Sequence, residues 1–525
     1  MPLPERRVRV GREVLVQWRN AEDEISLGCA TSPMARLVST PLGQPATGSS
    51  LDLNHCLGNT VRPVPSTSIT SNPLLGLAEA ELVDEYDRRR LGEIADHRLV
   101  ELAAEIVGVP RVEVPAEHSS FVLHAPLELM ARSALLPYVG ESERRRARLR
   151  IASLAAAYQA SGPPLISRTP RDFASLDEGV TALVGAIDEE DLDGVDTAAA
   201  WLGSRLSPDQ LVAMLADHTI DRLSAAGHGN IYLQLLSRSQ PHGLPQQMLR
   251  HPARQLAIRS NRRIEVPPTR VGSDPALGVR LAECLARVPV VGPSSHPGIA
   301  AMVEHTEDHG ASSVLLDADR TFTAPVVRPF GLLRFAANTM LQGSPDVAAY
   351  GWTHCLTLAQ AALMVAPACT DPSRAVYVAT AYLAAHWATL GQGELDLDGP
   401  APDPVGTDLE EALLSGNPRA AAAAAWHAPD RSVVVTALAT SAVCAQDAHR
   451  VKYTLACLDA ATADRSGTLL YLAAAAYLNA WWEQHPDAEP PVPAPALADG
   501  ARRSAVAADD LAESEREPRL DSDDP

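Results

Sequence analysis

Apolar residues recur at three- and four-residue spacing through most of the chain from 76 to 485, and strand-like alternation is scarce there. Successive helical side chains turn by about 100°, so this spacing marks faces of amphipathic helices. Helix punctuation brackets the same blocks. In "LSPDQLVAMLADHTIDRLSAAG", Ser207 is placed to cap, Pro208 to open the first turn and Gly227 to stop the helix. "GSPDVAAYGWTHCLTLAQAALMV" repeats the device with Ser344 and Pro345, and "TDPSRAVYVATAYLAAHWATLG" with Asp371, Pro372 and Gly391. A capping oxygen accepts from an amide that has no partner in the first turn, and proline has no amide to leave unpaired. The pattern predicts an all-α fold, a single irregular multi-helical domain over 76–485 with no fixed-period repeat.

The two ends differ in texture. Residues 1–75 are rich in Ser, Thr, Pro and Gly with short strand-like runs such as "REVLVQW", and are expected to form an extended, poorly packed N-terminal segment. Residues 486–525 are rich in Pro, Ala, Asp and Glu and lack aromatics, so a disordered acidic tail is expected.

Composition narrows the partners. With 46% hydrophobic and 21% charged residues the body should be globular, and the net charge of −21 argues against nucleic acid or an anionic membrane. Seven cysteines show no CxxC pair and no framework spacing, which reads as a reduced, cytoplasmic protein. "MPLPERRVRVGREVLVQW" has arginines without an apolar stretch behind them, and the chain has no long uncharged apolar run. Neither a secretory leader nor a membrane span is expected.

The basic residues change the picture most. Of 44 Lys and Arg, a single one is lysine, Lys452 in "CAQDAHRVKYTLACLDAA". An Ala-, Arg-, Pro- and Gly-rich sequence suggests a GC-rich genome in which lysine is scarce, and one survivor can be chance. The chemical alternative is that arginine cannot serve where the amine must be neutral. Guanidinium stays protonated, whereas a buried ammonium readily loses its proton. A neutral amine can form a Schiff base, act as a base, or take up carbon dioxide to give a carbamate metal ligand.

Most of the sixteen histidines have bland readings. His97, His242, His251, His296, His427 and His485 lie in polar or Pro/Gly-flanked segments and read as solvated. His305 and His309 are one turn apart, as a metal pair would be, but Gly310 makes His309 equally a last-turn residue favoured by the helix dipole. His386 on an apolar helix reads as a core histidine. Four others stand apart: His124 before a helix opened by Pro126, His228 between two glycines at a helix junction, His354 on an apolar helix, and His449 three residues before Lys452. On a helix His449 and Lys452 share one face and can meet one ligand. Buried histidines on apolar helices can satisfy one another through a shared metal.

At these residues the chain resembles the questin oxidase-like proteins. The elements that carry the resemblance are "LHAPLELMARSAL" around His124, "AAGHGNIYLQL" around His228, "HCLTLAQAAL" around His354, "HRVKYTLACLDAA" around His449 and Lys452, and "LLYLAAAAYLNAWW". Their order and spacing agree with the family over roughly 76–484, and H-x-x-K-[FY]-T-x-A-C-L is the most specific. The resemblance implies an oxygenase that uses O2 to open or oxidise a ring of a polycyclic aromatic polyketide, chiefly an anthraquinone, in secondary-metabolite biosynthesis. It also implies a helical fold and a non-haem Fe(II) site held by His124, His228, His354, His449 and a Lys452 carboxylated by carbon dioxide, with Lys452 and His449 closest to the chemistry. Departures are confined to the surroundings: the family's further histidine falls on Leu235, its arginine on Tyr232, and the first element lacks an asparagine.

Elementary electrostatics agrees with that ligand set. Four neutral imidazoles around Fe(II) leave two positive charges buried, and an anionic carbamate offsets them. Three other readings stay open. A Baeyer–Villiger oxidase using NADPH would need a dinucleotide fingerprint, and none is seen. A zinc or nickel hydrolase could use the same donors to activate water. A helical scaffold without catalysis would leave the aligned His and Lys elements unexplained.

Overall fold

A computed structural model describes residues 72–77, 81–111, 119–165, 171–222, 227–239, 246–258, 330–391 and 408–486, with a few isolated positions between them. Seventeen α-helices and no strand make up these residues, 79% of which are helical. The amino-terminal half holds α1 (Leu82–Arg88), α2 (Asp96–Val107), α3 (Ser119–Leu135), α4 (Glu141–Ala160) and α5 (Leu176–Asp188). It continues with α6 (Leu192–Gly203), α7 (Pro208–Thr219), α8 (His228–Ser239) and α9 (Arg250–Ile258). The carboxyl-terminal half holds α10 (Phe330–Gln342), α11 (Thr353–Val365), α12 (Pro372–Leu390) and α13 (Leu409–Leu414). It closes with α14 (Pro418–His427), α15 (Arg431–Cys444), α16 (Ala448–Ala463) and α17 (Thr468–Gln484). No helix among the described residues is long and apolar enough to cross a membrane.

Side-chain caps begin many of these helices. Ser207 and Gln210 form a reciprocal capping box on α7 with Pro208 in its first turn, and Asp371, Asp408, Asn417, Asp430 and Asp447 each accept amide hydrogens of the helix they precede. One contiguous apolar core runs from Leu74 to Trp482. Alanine lets its helices approach closely: Ala473 to Ala476 of α17 are wholly buried, and α17 packs against the alanine run of α14.

Buried arginines tie the helices together. Arg132 pairs with Glu128 on α3 and donates to the carbonyls of Val443 in the last turn of α15 and of Ala445 just after it. Arg450 of α16 donates to Asn479 and Glu483 of α17 and to Ser441 of α15. A rigid guanidinium fork reaches several acceptors at once, which suits it to this bridging work.

The structure departs from the sequence expectations at four places. Pro126 does not open a helix: α3 starts at Ser119 and carries Pro126 inside, so His124 is a mid-helix residue. Burial of Val122, Leu123 and Leu127 holds that helix across the bond proline cannot make. Gly227 does not stop the helix begun at Pro208, which ends at Thr219; it stands immediately before α8 instead. Ser344 and Pro345 open a short 3₁₀ turn and then a π-helical turn, Ala348–Trp352, before α11 starts at Thr353. His251 is not solvated: it is 2% exposed, with the Tyr158 hydroxyl 3.0 Å from Nε2, and burial pushes it down to about 3. Residues 1–71 and 487–525, and with them the segments expected to be extended or disordered, lie outside the described residues apart from Asn72 to Leu75. Leu74 in that short piece is fully buried against the domain.

Candidate metal centre

Helices α3, α8, α11 and α16 pack in a cycle: α3 on α8, α8 on α11, α11 on α16, and α16 back on α3. Each sends one histidine inward. The ring contacts repeat the helix contacts, with centroids 5.0 Å apart for His124–His228, 5.6 Å for His228–His354, 5.1 Å for His354–His449 and 4.6 Å for His449–His124. His124 and His228 meet Nε2 to Nε2 at 3.1 Å, and the Lys452 amine lies 3.4 Å from that same His228 nitrogen. The fold thus gathers all five side chains the sequence singles out. Among the other histidines, His386 is buried on α12 with neither ring nitrogen bonded, and His97, His427 and His485 are exposed. His242, His296, His305 and His309 lie outside the described residues.

Local structure explains how each ring is placed. Gly227 has φ of +76°, and a Cβ there would stand 2.0 Å from Leu358 Cδ1 of α11. Only glycine takes that backbone freely and lets α8 enter so close to α11, with His228 as its first residue. The π-helical turn sets Tyr350 one turn before His354. Its carbonyl accepts from His354 Nδ1 at 2.6 Å, while its ring lies 5.0 Å from that of His449. Wider turns of this kind re-aim side chains and recur at functional sites. Asp447 caps α16 through the amides of His449 and Arg450 and faces His449 Nδ1 at 3.3 Å. In His354 and His449 the outer nitrogen therefore carries the hydrogen, and the inner Nε2 keeps its lone pair.

Burial sets the electrostatics. His228, His449 and Lys452 are buried, while His124 and His354 are partly buried. Burial, then the Lys452 charge and the neighbouring rings, holds His124 well below the ordinary histidine range. His354 is lowered in the same way by burial and the adjoining imidazoles. Burial and Lys452 also lower His449, against the opposing pull of Asp447. These rings are neutral donors at physiological pH. Burial brings Lys452 down to about 8, opposed by the carboxylates of Asp447 and Glu128. Burial alone would raise Asp447, but its contacts with His449 and Lys452 carry it below the usual carboxylate range.

The donor set fits a transition metal in kind, and its ring centroids, though not its donor atoms, stand near the separation such an ion needs. An imidazole nitrogen binds at about 2.1 Å, so its ring centre stands roughly 3.2 Å from the ion; two such rings at 90–110° have centres about 4.5–5.3 Å apart. Three of the four ring pairs fall inside that span and the fourth just beyond it. As the side chains stand, no group of three or more His, Cys, Asp or Glu residues among those described is arranged to hold an ion. Ring spacing, rather than converged donor atoms, is what the cluster offers, and Lys452 adds an amine of a type outside that group.

Two residues of this site carried weak or no signals in the sequence. Asp447 is legible as an acidic cap two residues before His449. Tyr350 is not, because nothing in "SPDVAAYGW" announces a π turn. Tyr232 and Leu235, at the positions that depart from the family pattern, are both buried, and the Tyr232 hydroxyl has no hydrogen-bond partner among the described residues. No family model, curated protein or solved structure matches the chain.

Proposed function

We propose that this protein is a non-haem iron oxygenase resembling the questin oxidase-like proteins, which uses dioxygen to open or otherwise oxidise a ring of an anthraquinone-like polyketide. The observation that carries the reading is the meeting of four histidines and the chain's sole lysine at the centre of four mutually packed helices. His124, His228, His354 and His449 would hold the metal, with Lys452 as the anionic fifth ligand. When bound, iron(II) supplies the electrons that allow dioxygen to react with an aromatic ring.

The residues around the centre have separable tasks. Tyr350 and Asp447 fix two imidazoles through their outer nitrogens. Lys452, brought down to about 8, is about one-tenth neutral at pH 7, against a few parts in ten thousand for an ordinary lysine. The neutral amine attacks the carbon of carbon dioxide, a C–N bond forms and one N–H proton leaves, giving a carbamate anion. That anion and the Asp447 carboxylate offset the charge of a dication among neutral imidazoles, a balance that arginine in place of Lys452 cannot reach.

The donors also suit zinc, which would make the protein a hydrolase instead. The test is metal analysis of freshly purified protein combined with oxygen-uptake measurement on 1,8-dihydroxyanthraquinone and related hydroxylated anthraquinones. Iron with substrate-dependent oxygen uptake supports the oxygenase. Zinc with no oxygen uptake from any of them would assign the centre to hydrolysis.

A further inference from the structure

Aromatic residues make up only 4% of the chain, yet an unbroken row of rings leads from the cluster to the surface. The Tyr350 ring lies 5.0 Å from His449 and 5.7 Å from Trp482; Trp482 lies 5.1 Å from Trp481; and Trp481 is stacked at 4.1 Å on His485, which is exposed. Among the described residues neither indole Nε1 of Trp481 or Trp482 has an acceptor, so no hydrogen bond there explains why tryptophan occupies these positions. Another aromatic group ends differently. Trp387 lies 5.8 Å from Phe335 and 6.4 Å from Trp352, and all three are buried to 1% or less, so that group stops inside the core.

Tryptophan and tyrosine give up one electron far more readily than phenylalanine or aliphatic side chains. Electron tunnelling weakens steeply with distance, so a series of steps between neighbouring rings outruns one long jump. We infer that Tyr350, Trp482 and Trp481 form a one-electron path that drains oxidising equivalents from the metal centre to the surface when substrate oxidation miscarries. The inference rests on the oxygenase reading above and adds a protective function to it.

The oxidant is hydrogen peroxide, which iron held by the four histidines and Lys452 would activate. Trp482 would give one electron toward the cluster across the Tyr350 ring. Trp481 refills Trp482, and a reductant in solution such as ascorbate refills Trp481 at the His485 edge. In sum the peroxide O–O bond breaks and one peroxide takes up two protons from solvent and two electrons to give two waters; two ascorbates each lose one of those electrons, delivered one at a time along the path, and no protein bond is made or broken. The indoles keep their protons, since among the described residues no acceptor faces either Nε1.

The experiment treats iron-loaded full-length protein with hydrogen peroxide in the absence of substrate, with and without ascorbate. Peptide mass spectrometry locates oxidised residues, rapid-freeze electron paramagnetic resonance detects tryptophan radicals, and iron retention is measured. The wild-type protein should show a tryptophan radical and oxidation at Trp481 and Trp482, suppressed by ascorbate, with the four histidines intact. Trp482→Phe should lose the radical, shift oxidation onto His449 and its neighbours, and shed iron; Trp482→Tyr, which remains oxidisable, should restore the outward path. Trp481→Phe breaks the row one step later and decides the matter if Trp482→Phe does not fold. Equal histidine oxidation in wild type and the phenylalanine variants, or a tyrosine variant that behaves like phenylalanine, overturns the path. A wild-type protein that binds no iron removes the oxygenase reading and this inference together, whereas an iron-loaded one without tryptophan oxidation removes this inference alone.

Discussion

Replacing Lys452 by methionine should stabilise the metal-free protein while abolishing its metal site. Lys452 is 4% exposed, and burial lowers it from 10.5 to about 8. At 1.36 kcal/mol per pH unit, that displacement amounts to about 3 kcal/mol of unfavourable free energy for the ammonium in the folded state. The sign follows from proton counting. A group whose folded pKa lies below its unfolded value binds fewer protons when folded, so stability rises with pH between the two values. The penalty is therefore complete below about pH 8 and is relieved progressively up to 10.5. Methionine has similar length, carries no charge and packs well in irregular gaps. It gives up only the 3.4 Å contact with His228, a bond typically worth about 1 kcal/mol. Urea denaturation in chelator at pH 7 should thus show Lys452→Met more stable by about 2 kcal/mol, with the advantage shrinking above pH 8 and vanishing by about pH 10. A methionine variant less stable than wild type at pH 7, or a difference that does not change between pH 7 and 10, would refute the buried-amine argument.

Three further outcomes follow from the same geometry. Gly227→Ala must accommodate a methyl group 2.0 Å from Leu358 Cδ1 in a left-handed backbone, and should lose about 2–4 kcal/mol in urea denaturation together with metal binding. Asp447→Asn keeps a capable helix cap but removes the carboxylate beside His449 Nδ1; metal affinity measured by chelator competition should fall roughly 10–100-fold with little change in unfolding midpoint. Arg132→Met strands Glu128, which is buried and raised by that burial, and should cost about 3–5 kcal/mol at neutral pH. Part of that loss should be recovered as the pH drops and Glu128 takes up a proton.

The helical body was legible because apolar spacing and capping residues are local signals. Ser207, Pro208, Asp371 and Pro372 begin helices as their chemistry requires. Helix ends were harder to read, since tertiary burial decides them: α7 stops at Thr219 though its sequence continues in helical style, and α3 runs straight through Pro126. The five site residues could be named from their elements, but their meeting depends on which helices pack together. No periodicity reveals that α8 lies between α3 and α11, or that Gly227 is needed for α8 to approach so closely. His251 misled because its prolines and polar neighbours suggest solvent, whereas the ring sits beneath Tyr158 and the Val107 carbonyl. Tyr350 was invisible for a similar reason, as its role arises from a π-helical turn rather than from residue type.

The central claim is that the chain's one lysine is retained because its amine must become an anion at a metal. The most direct measurement compares iron content and carbon-13 incorporation from labelled bicarbonate in wild type and Lys452→Arg, both purified with iron and checked for folding by circular dichroism. The account predicts a carbamate carbon signal and bound iron in wild type, and loss of both, with helical content unchanged, in Lys452→Arg. The reason is that a permanently charged guanidinium would face a dication. An arginine variant that retains full iron and full oxygen uptake would contradict the account and leave Lys452 as a relic of codon usage.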